Sequence, residues 1–331
     1  MTRILTYNDI NPLQWQSLVE KSSYATWFQT DEAYRFYQYQ SGMRAFAYGV
    51  AEEDKLVGVI VGYITQEKCK LNQYFTARAI IVGGPLLDEN ISESALTMLL
   101  QTVKQQQGEA IYIEMRNLHD YSRWKPVFET NGFTYQPHLN IQVACNAQHQ
   151  MSEQRIRQVR KALKKGVEIC KAQSDEEIKA WYQILKKLYR TKVRTPLWRE
   201  DFFLQFYRNE VGKYLLVKHE GKVIGGIMCP ILEDKAIYEW YICGLDEDFR
   251  ECYPSVMATY AAIEYTKKHG LPLFDFMGAG QPNIPYGVRD FKMEFGGELV
   301  ELGRYLHINK PLLYRIGKWG VNLIKHSRWL K

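Results

Sequence analysis

The sequence KLVGVI at residues 55–60 recurs as KVIGGI at residues 222–227, 167 residues further along the chain. Each copy follows a polar turn pair, Glu-Asp at 53–54 in the first case and Glu-Gly at 220–221 in the second. A turn of this kind ahead of an apolar run predicts a β-hairpin whose second strand is the repeated hexapeptide. The repeat therefore predicts two copies of one structural unit.

The segments that follow the two hairpins also correspond. In each half a strand-like run, at 75–83 or 237–244, precedes an apolar-striped helix that stops at a glycine, Gly108 or Gly270. A short strand follows each glycine, and a pair of helices precedes each hairpin. This order predicts an α+β fold of two tandem GNAT-like (acyl-CoA N-acyltransferase) domains, each a mixed twisted sheet flanked by helices. The predicted helix pairs cover 11–20 with 31–40, and a helix capped by Ser174 with 199–208.

Composition limits the class of protein. At 331 residues, with 46% hydrophobic and 24% charged residues, the chain is long enough for two soluble domains. Its net charge of +6 favours phosphate-bearing partners. The six cysteines are scattered, so we expect reduced thiols and a cytoplasmic location. No apolar run suits a signal peptide or a spanning helix, so we expect neither export nor membrane spanning.

Motifs for several chemistries are absent. The chain has no G-x-S-x-G elbow, no P-loop and no H-E-x-x-H pair, and its seven histidines lack metal-ligand spacing, so we expect no metal. A GNAT enzyme normally holds the pyrophosphate of coenzyme A on a Q/R-x-x-G-x-G/A loop at a helix N-terminus. The corresponding segments, VGGPLL at 82–87 and DEDFRE at 246–251, do not match. The second is acidic, which disfavours acyl-CoA as the donor.

The most specific motif is F-K-x-x-F-G-G at residues 291–297, which sets Lys292 among aromatic residues beside a glycine pair. It follows the strand-like run LFDFMG at 273–278. Together with Tyr238–Tyr241, this order of motifs resembles the Fem family of peptidoglycan-bridge aminoacyltransferases, and the basic segment Arg155–Val167 resembles their wider acyltransferase-like relatives. The resemblance spans nearly the whole chain and is strongest in the second unit.

The resemblance implies a function and a domain plan. Fem proteins move an amino acid from aminoacyl-tRNA to the side-chain amine of a peptidoglycan precursor, building the interpeptide bridge. It implies aminoacyl-tRNA as co-substrate, a nucleotide- or lipid-linked muropeptide as acceptor, and no cofactor. It also implies two GNAT-like domains, which we place at 1–147 and 148–308, with 309–331 packed back on the first.

Residue roles follow from the same resemblance. Lys292 matches the motif lysine, whose ammonium would stabilise the oxyanion beside the acyl carbon; the alternative is a structural lysine that caps the sheet. Arg194 matches an arginine that reaches the precursor's phosphates, or else is a surface arginine. Glu114 and Arg116, on the matching strand of the first unit, are weaker candidates. The other substrate-binding candidates are Tyr241, Asp275, Tyr286, Arg289, Phe291 and Phe295; those for tRNA or phosphate contact, on what is otherwise a solvated linking helix, are Arg155, Arg160, Lys161 and Lys164.

Two features depart from the family. The chain has no coiled-coil arm, and the precursor-binding lysine expected after an aromatic-Gln-Ser motif is missing after Phe28–Thr30. From Lys310 to Lys331, apolar and basic residues alternate as in an amphipathic helix, which either rests on the inner face of a membrane or packs on the first unit. Two other functions stay open: a CoA-dependent N-acyltransferase that modifies an amino sugar of a surface polysaccharide, and a non-catalytic muropeptide- or tRNA-binding protein.

Overall fold

The computed structural model describes residues 1–66, 74–146 and 148–326. They form two compact units, Met1–Pro137 with the segment from Leu302 onward, and His138–Glu301. Each unit holds a mixed eight-stranded sheet flanked by helices, which confirms the predicted fold class. Cys69 and the predicted tail residues Arg328, Trp329 and Lys331 lie outside the described residues.

The first unit is built on a sheet in which only two neighbouring strands run parallel among the described residues. Its strands are β1 (Thr2–Thr6), β2 (Met43–Glu52), β3 (Lys55–Thr65), β4 (Arg78–Gly83), β5 (Leu86–Leu87), β6 (Tyr112–Asn117), β7 (Thr134–Gln136) and, from the end of the chain, β16 (Arg304–Ile308). They lie in the order β1-β2-β3-β4-β6-β16-β7, with β5 on β3, and β4 pairs with β6 in parallel.

Helices cover this first sheet. The helix that precedes β6 buries its predicted stripe, since Leu96, Leu99, Leu100 and Val103 have no exposed surface. Ser92 caps that helix by accepting a hydrogen bond from the Ala95 N–H at 3.1 Å. The helices are α1 (Pro12–Lys21), α2 (Asp31–Gln38), α3 (Glu93–Gln106), α4 (Lys125–Thr130) and α10 (Pro311–His326).

The second unit repeats this plan. Its strands are β8 (Leu139–Ala144), β9 (Val167–Lys171), β10 (Gly212–His219), β11 (Lys222–Leu232), β12 (Ala236–Tyr238), β13 (Tyr241–Gly244), β14 (Leu273–Gly278) and β15 (Glu298–Glu301). The sheet order is β15-β8-β14-β12-β11-β10-β9, with β13 on β11 and a parallel β12–β14 pair. The helices are α5 (Glu153–Lys164), α6 (Asp175–Leu188), continued by a π-helical turn at Tyr189–Val193, α7 (Glu200–Arg208), α8 (Pro254–Lys268) and α9 (Gly287–Met293).

The two repeated hairpins form as predicted. The β2–β3 turn has positive φ at Glu53 (49°) and Asp54 (66°), and the β10–β11 turn has it at Glu220 (50°) and Gly221 (75°). Two successive left-handed residues are the backbone of the tight turn that suits strand twist. Local turn chemistry therefore places both copies of the hexapeptide in equivalent strands.

The division between the units differs from the predicted boundaries at 147/148 and 308/309. β8 pairs with β14 and β15 and belongs to the second unit, although it precedes residue 147. β16 pairs with β6 and β7 and belongs to the first, although it precedes residue 309. Each unit thus includes one strand that lies outside its predicted bounds. Within the described residues, no helix has the length and apolar character needed to span a bilayer.

Candidate active site

The second sheet opens between two neighbouring strands. β12 pairs with β14 up to Tyr238 and Asp275, and then β13 pairs with β11 alone among the described residues. The predicted single strand 237–244 is therefore interrupted at Glu239 and Trp240. The Glu239 N–H still donates to the Asp275 carbonyl at 2.9 Å, whereas the Trp240 N–H donates to the Met228 carbonyl at 3.1 Å. Beyond this point β13 and β14 are unpaired with each other, which leaves an opening in the sheet.

A bulge in β14 shapes one side of this opening. Asp275 faces Gln142 and Gly278 faces Asn140, so two β14 residues stand opposite one β8 residue. Met277, inside the bulge, has a φ of 57°, which is rare for a residue with a side chain. Its N–H donates to Asp275 Oδ1 at 2.5 Å, and Gln142 Nε2 donates to Asp275 Oδ2 at 2.9 Å. Asp275 is thus a buried carboxyl that holds the bulge, and its substrate-binding role stays a prediction.

Lys292 fills the opening from helix α9. Its Nζ donates to the carbonyls of Phe276 at 2.7 Å and Gly278 at 3.1 Å, and lies 3.0 Å from Glu239 Oε1. An ammonium has three N–H groups, so these three partners occupy all of them. The geometry matches the alternative of a lysine that caps the sheet, and its oxyanion role stays a prediction.

Glu239, which the sequence analysis missed, completes this group. Its side chain is 4% exposed, and its Oε2 has no hydrogen-bond partner among the described residues. Burial raises the pKa of Glu239, and Lys292 acts in the opposite direction. Burial also raises the pKa of Asp275, to about 6, against the effects of Gln142, the Met277 N–H and Lys292. An acidic residue inside the apolar run AIYEWYICG was the signal that could have found Glu239.

The remaining motif residues divide into buried and exposed groups. Phe295 is fully buried in the core and Phe291 packs at 5.3 Å from it, so the prediction that they bind substrate is not supported. Arg289 donates to the carbonyls of Ala279 at 2.9 Å and Gln281 at 2.5 Å, so it holds the loop ahead of α9. Tyr286, by contrast, is 41% exposed at the start of α9.

A tyrosine cluster lies on the π-helical turn. The ring centroids of Tyr189 and Tyr241 lie 6.1 Å apart. Burial raises the pKa of Tyr189 to about 12, and an electrostatic contribution from Tyr286 adds to this increase. The structure therefore brings the predicted Tyr241 and Tyr286 together around Tyr189, a residue that the sequence analysis missed. Arg194 follows this turn with a φ of 57° and is exposed, while its Nε donates to the Thr191 carbonyl at 3.1 Å.

The predicted basic contacts on α5 are of two kinds. Arg155 is buried, with its guanidinium carbon 4.4 Å from the centre of the Phe291 ring, its Nη1 donating to Gln158 and its Nε 3.4 Å from Glu294. Its prediction as a phosphate contact is corrected, because burial and these contacts make it part of the core. Arg160, Lys161 and Lys164 are exposed, and Lys161 pairs with a glutamate of the loop described next.

That loop, residues 245–253, precedes α8, where a GNAT enzyme holds pyrophosphate. Asp246 Oδ1 accepts from the Ser255 N–H at 3.1 Å, and its Oδ2 accepts from Ser255 Oγ at 2.5 Å. A carboxylate of the chain itself therefore sits at the N-terminus of α8, where the helix dipole favours an anion. Acidic residues of the loop also form ion pairs with lysines, namely Lys161–Glu251 at 2.8 Å, Lys165–Glu251 at 2.9 Å, Lys187–Asp248 at 3.4 Å and Lys192–Glu247 at 2.8 Å.

Comparison with known proteins agrees with the fold of two GNAT-like units. Residues 151–293 match the family model described as "Acetyltransferase (GNAT) domain". The structure of FemX is similar over 95% of this chain and 99% of its own, with a TM-score of 0.71 and 16% sequence identity. The chain has a tandem GNAT fold of the FemX type. The second unit of this tandem GNAT protein is an acyltransferase domain.

Two further structures are similar to this chain. L-PGS from Bacillus licheniformis is 13% identical with a TM-score of 0.58, over 91% of this chain and 92% of its own. A tandem GNAT protein from the clavulanic acid biosynthesis pathway is 10% identical with a TM-score of 0.57, over 93% and 99%. No curated protein sequence matches the chain.

Proposed function

We propose that this tandem GNAT protein transfers an aminoacyl group from aminoacyl-tRNA to the side-chain amine of a peptidoglycan precursor. The observation that carries the proposal is the Asp246 carboxylate at the N-terminus of α8, bonded to the Ser255 N–H and Oγ. This carboxylate occupies the position where the pyrophosphate of acyl-CoA would bind, and its negative charge would repel the pyrophosphate. An ester of tRNA needs no pyrophosphate contact at this helix. The FemX-like fold supports the same choice of donor.

The opening between β13 and β14 is the proposed reaction site. The precursor's amine nitrogen attacks the ester carbonyl, forming the C–N bond and an oxyanion intermediate. The C–O bond to the tRNA ribose then breaks, the amine gives up a proton and the leaving hydroxyl gains one. We assign the proton acceptor to Glu239, because its Oε2 lacks a hydrogen-bond partner among the described residues and burial raises its pKa, which makes it a stronger base. Lys292 holds the other oxygen of Glu239 at 3.0 Å and so positions it.

Acceptor recognition is assigned to exposed groups of the second unit. Arg194 is exposed and follows the turn that carries Tyr189, so its guanidinium suits the phosphates of a nucleotide- or lipid-linked muropeptide. Tyr286 and Tyr241 would line the path of the peptide. Arg160, Lys161 and Lys164 are exposed on α5 and are assigned to the phosphates of tRNA.

A reconstituted transfer reaction tests the proposal. The purified chain would be incubated with a mixed pool of aminoacyl-tRNA and a UDP-linked muropeptide, and products read by mass spectrometry. We expect the mass of one amino acid to be added, and Glu239→Gln to lower the rate about 100-fold or more. Glu168→Gln, an exposed residue of β9, is the matched control with unchanged rate. Product formed with acetyl-CoA and not with aminoacyl-tRNA would contradict the proposal. Comparison of muropeptides from cells with and without the gene tests it independently.

A CoA-dependent N-acyltransferase acting on an amino sugar is the second candidate, because the matched family model is an acetyltransferase model. It requires CoA to displace Asp246 from α8. Calorimetric titration with CoA separates the two, since the second candidate predicts binding and aminoacyl-tRNA transfer does not. A non-catalytic binding protein would retain muropeptide or tRNA and form no product with either donor.

Helix α10 supports a peripheral membrane contact, which we propose as part of this function. Leu312, Ile316 and Trp319 lie on one face and are 67%, 55% and 68% exposed. Arg315 and Lys318 are exposed beside them, which suits an anionic lipid surface. The start of the segment packs on the first unit, since Lys310 Nζ donates to the Glu109 carbonyl at 2.7 Å and Tyr314 contacts Tyr112. The predicted Leu323 and Lys325 lie in the part of α10 whose side chains are outside this description.

Vesicle flotation tests the membrane contact. We expect the chain to bind vesicles that contain phosphatidylglycerol and to lose this binding in the triple variant Leu312→Gln, Ile316→Gln, Trp319→Gln. Leu13→Gln, which removes an exposed leucine from α1 of the same unit, is the control with unchanged binding. Equal binding of neutral and anionic vesicles, or of wild type and triple variant, would rule out this contact.

A further inference from the structure

The first unit contains a cavity of about 370 Å³ at the edge of its sheet. β1 pairs with β2 only as far as Thr6 and Tyr48, so the β2 residues 43–47 have no neighbouring strand on that side among the described residues. The Thr6 N–H donates to Asp9 Oδ2 at 3.1 Å in a tight turn that takes the chain away from β2. The cavity lies in the space that this turn leaves, and its volume is typical of a small-molecule site.

Two stacked tyrosines form one wall of this cavity. The ring centroids of Tyr7 and Tyr34 are 3.8 Å apart, and the angle between the ring planes is 22°. The Tyr7 hydroxyl donates to Asp31 Oδ1 at 2.9 Å, and Asp31 Oδ2 lies 2.7 Å from Arg35 Nη2. Side chains of α2 therefore fix the wall in place without a ligand.

Several polar groups around the cavity are available to a ligand. Gln107 Nε2 donates to the Tyr48 hydroxyl at 3.0 Å, which leaves the hydroxyl proton of Tyr48 without an acceptor among the described residues. The Tyr34 hydroxyl has no hydrogen bond within the described part of the chain. Burial raises the pKa of both tyrosines, so both hydroxyls keep their protons at neutral pH. The side-chain amides of Asn8 and Gln106 are exposed at the same cavity.

This lining favours one class of ligand. None of the described residues that line the cavity carries a charge, which disfavours phosphates, carboxylates and ammonium groups. A sugar ring has an apolar C–H face that packs on an aromatic ring, and hydroxyl groups around its edge that pair with hydroxyl and amide side chains. A flat nucleobase held between two aromatic rings is disfavoured, because Tyr7 and Tyr34 already stack on each other.

We propose that this cavity binds an uncharged sugar, with the sugar ring against Tyr34. The hydroxyl groups of the sugar pair with the hydroxyls of Tyr34 and Tyr48. The amides of Asn8 and Gln106 supply further contacts. This site does not depend on the proposed aminoacyl transfer, which is assigned to the second unit.

Saturation-transfer NMR of the full chain with methyl β-glucoside and, separately, with N-acetylglucosamine tests the site. We expect saturation transfer to the ring protons of at least one sugar. Tyr48→Phe keeps the aromatic ring and removes the hydroxyl, so it should weaken binding about three- to tenfold in a titration. Tyr34→Ala should abolish the signal, because the ring that packs on the sugar is gone. Tyr39→Ala, which removes a 76% exposed tyrosine at the end of α2, is the matched control with unchanged binding.

Thermal unfolding would confirm that each variant is folded, and Tyr48→Phe decides the test if Tyr34→Ala does not fold. Absence of saturation transfer to both sugars, or equal affinity of wild type and Tyr48→Phe, would overturn the proposal. Saturation transfer to uracil and to neither sugar would also overturn it. Tighter binding of N-acetylglucosamine would identify an N-acetylated sugar, and equal or weaker binding would identify a sugar recognised by its hydroxyl groups alone; both outcomes support the site.

Discussion

The two units have equivalent sheets that differ in how two neighbouring strands pair. In the first, β4 and β6 stay paired at six successive positions, from Arg78–Tyr112 to Gly83–Asn117. In the second, the corresponding β12 and β14 pair at three positions before β13 turns to β11. One copy of the repeat is therefore closed where the other is open, and the proposed reaction site is the opening in the second copy.

The turns that would hold a pyrophosphate also differ. In the first unit, Gln29 Nε2 donates to the Gly84 carbonyl at 3.0 Å, and the Tyr121 hydroxyl donates to the carbonyls of Gly83 at 2.9 Å and Pro85 at 2.7 Å. Side chains thus fill that turn. In the second unit, a carboxylate fills the position instead. The corresponding turn is therefore filled in both copies, by uncharged side chains in the first and by a carboxylate in the second.

The largest expected effect is on stability of the opened unit. Lys292→Met would leave Glu239 as an unpaired buried carboxylate, at a cost of about 3–5 kcal/mol in the free energy of unfolding. Chemical denaturation measures this loss. Lys164→Met, which removes an exposed lysine of α5, is the control with a change near zero. A loss below about 1 kcal/mol for Lys292→Met would mean that the pair does not hold the opening.

The next effect is a pH dependence from Asp275. Burial raises its pKa from 3.8 to about 6, so the folded state binds this proton more tightly than the unfolded state. Stability should therefore fall as the pH rises from about 4 to 6, by roughly 3 kcal/mol from this group, with Glu239 acting in the same direction. Denaturation of wild type and Asp275→Asn at pH 4.5 and 7 isolates the contribution. Identical pH slopes in the two proteins would contradict it.

A smaller effect is expected in the sealed unit. Gly84 has a φ of 78°, and a Cβ there would approach the Tyr121 ring to 2.8 Å. Gly84→Ala should cost roughly 1–3 kcal/mol of stability and leave the transfer rate of the folded chain unchanged. Gly108→Ala, whose Cβ would meet nothing closer than 3.5 Å, is the control. If Gly84→Ala lowered the transfer rate without lowering stability, the first unit would take part in the reaction. The contrast between a closed first unit and a reactive second unit would then be wrong.

Local signals were sufficient for much of the fold. The hairpin turns at 53–54 and 220–221, and the helix cap at Ser174, depend on neighbouring residues, so the sequence predicts them. The strand exchange of β8 and β16 depends on pairing between distant segments, which explains why the predicted boundaries differ.

The site was predicted only in part, for the same reason. Lys292, Asp275 and Tyr241 stand out by residue type and motif. The direction of the Phe276 and Gly278 carbonyls follows from a bulge opposite Ile141, and the role of Glu239 follows from a strand that changes partners. Neither has a local signature. Arg155 and Phe295 were misassigned because a basic or aromatic residue in a motif can equally serve the core.

The most direct measurement is the transfer rate of the double variant Glu239→Gln, Lys292→Met. Removing both charges leaves no unpaired buried ion, so stability should return to within about 1 kcal/mol of wild type. Transfer from aminoacyl-tRNA should nevertheless stay at least about 100-fold below wild type, because the proton acceptor is gone. Recovery of wild-type transfer together with stability would contradict a chemical role for the opening in the second sheet.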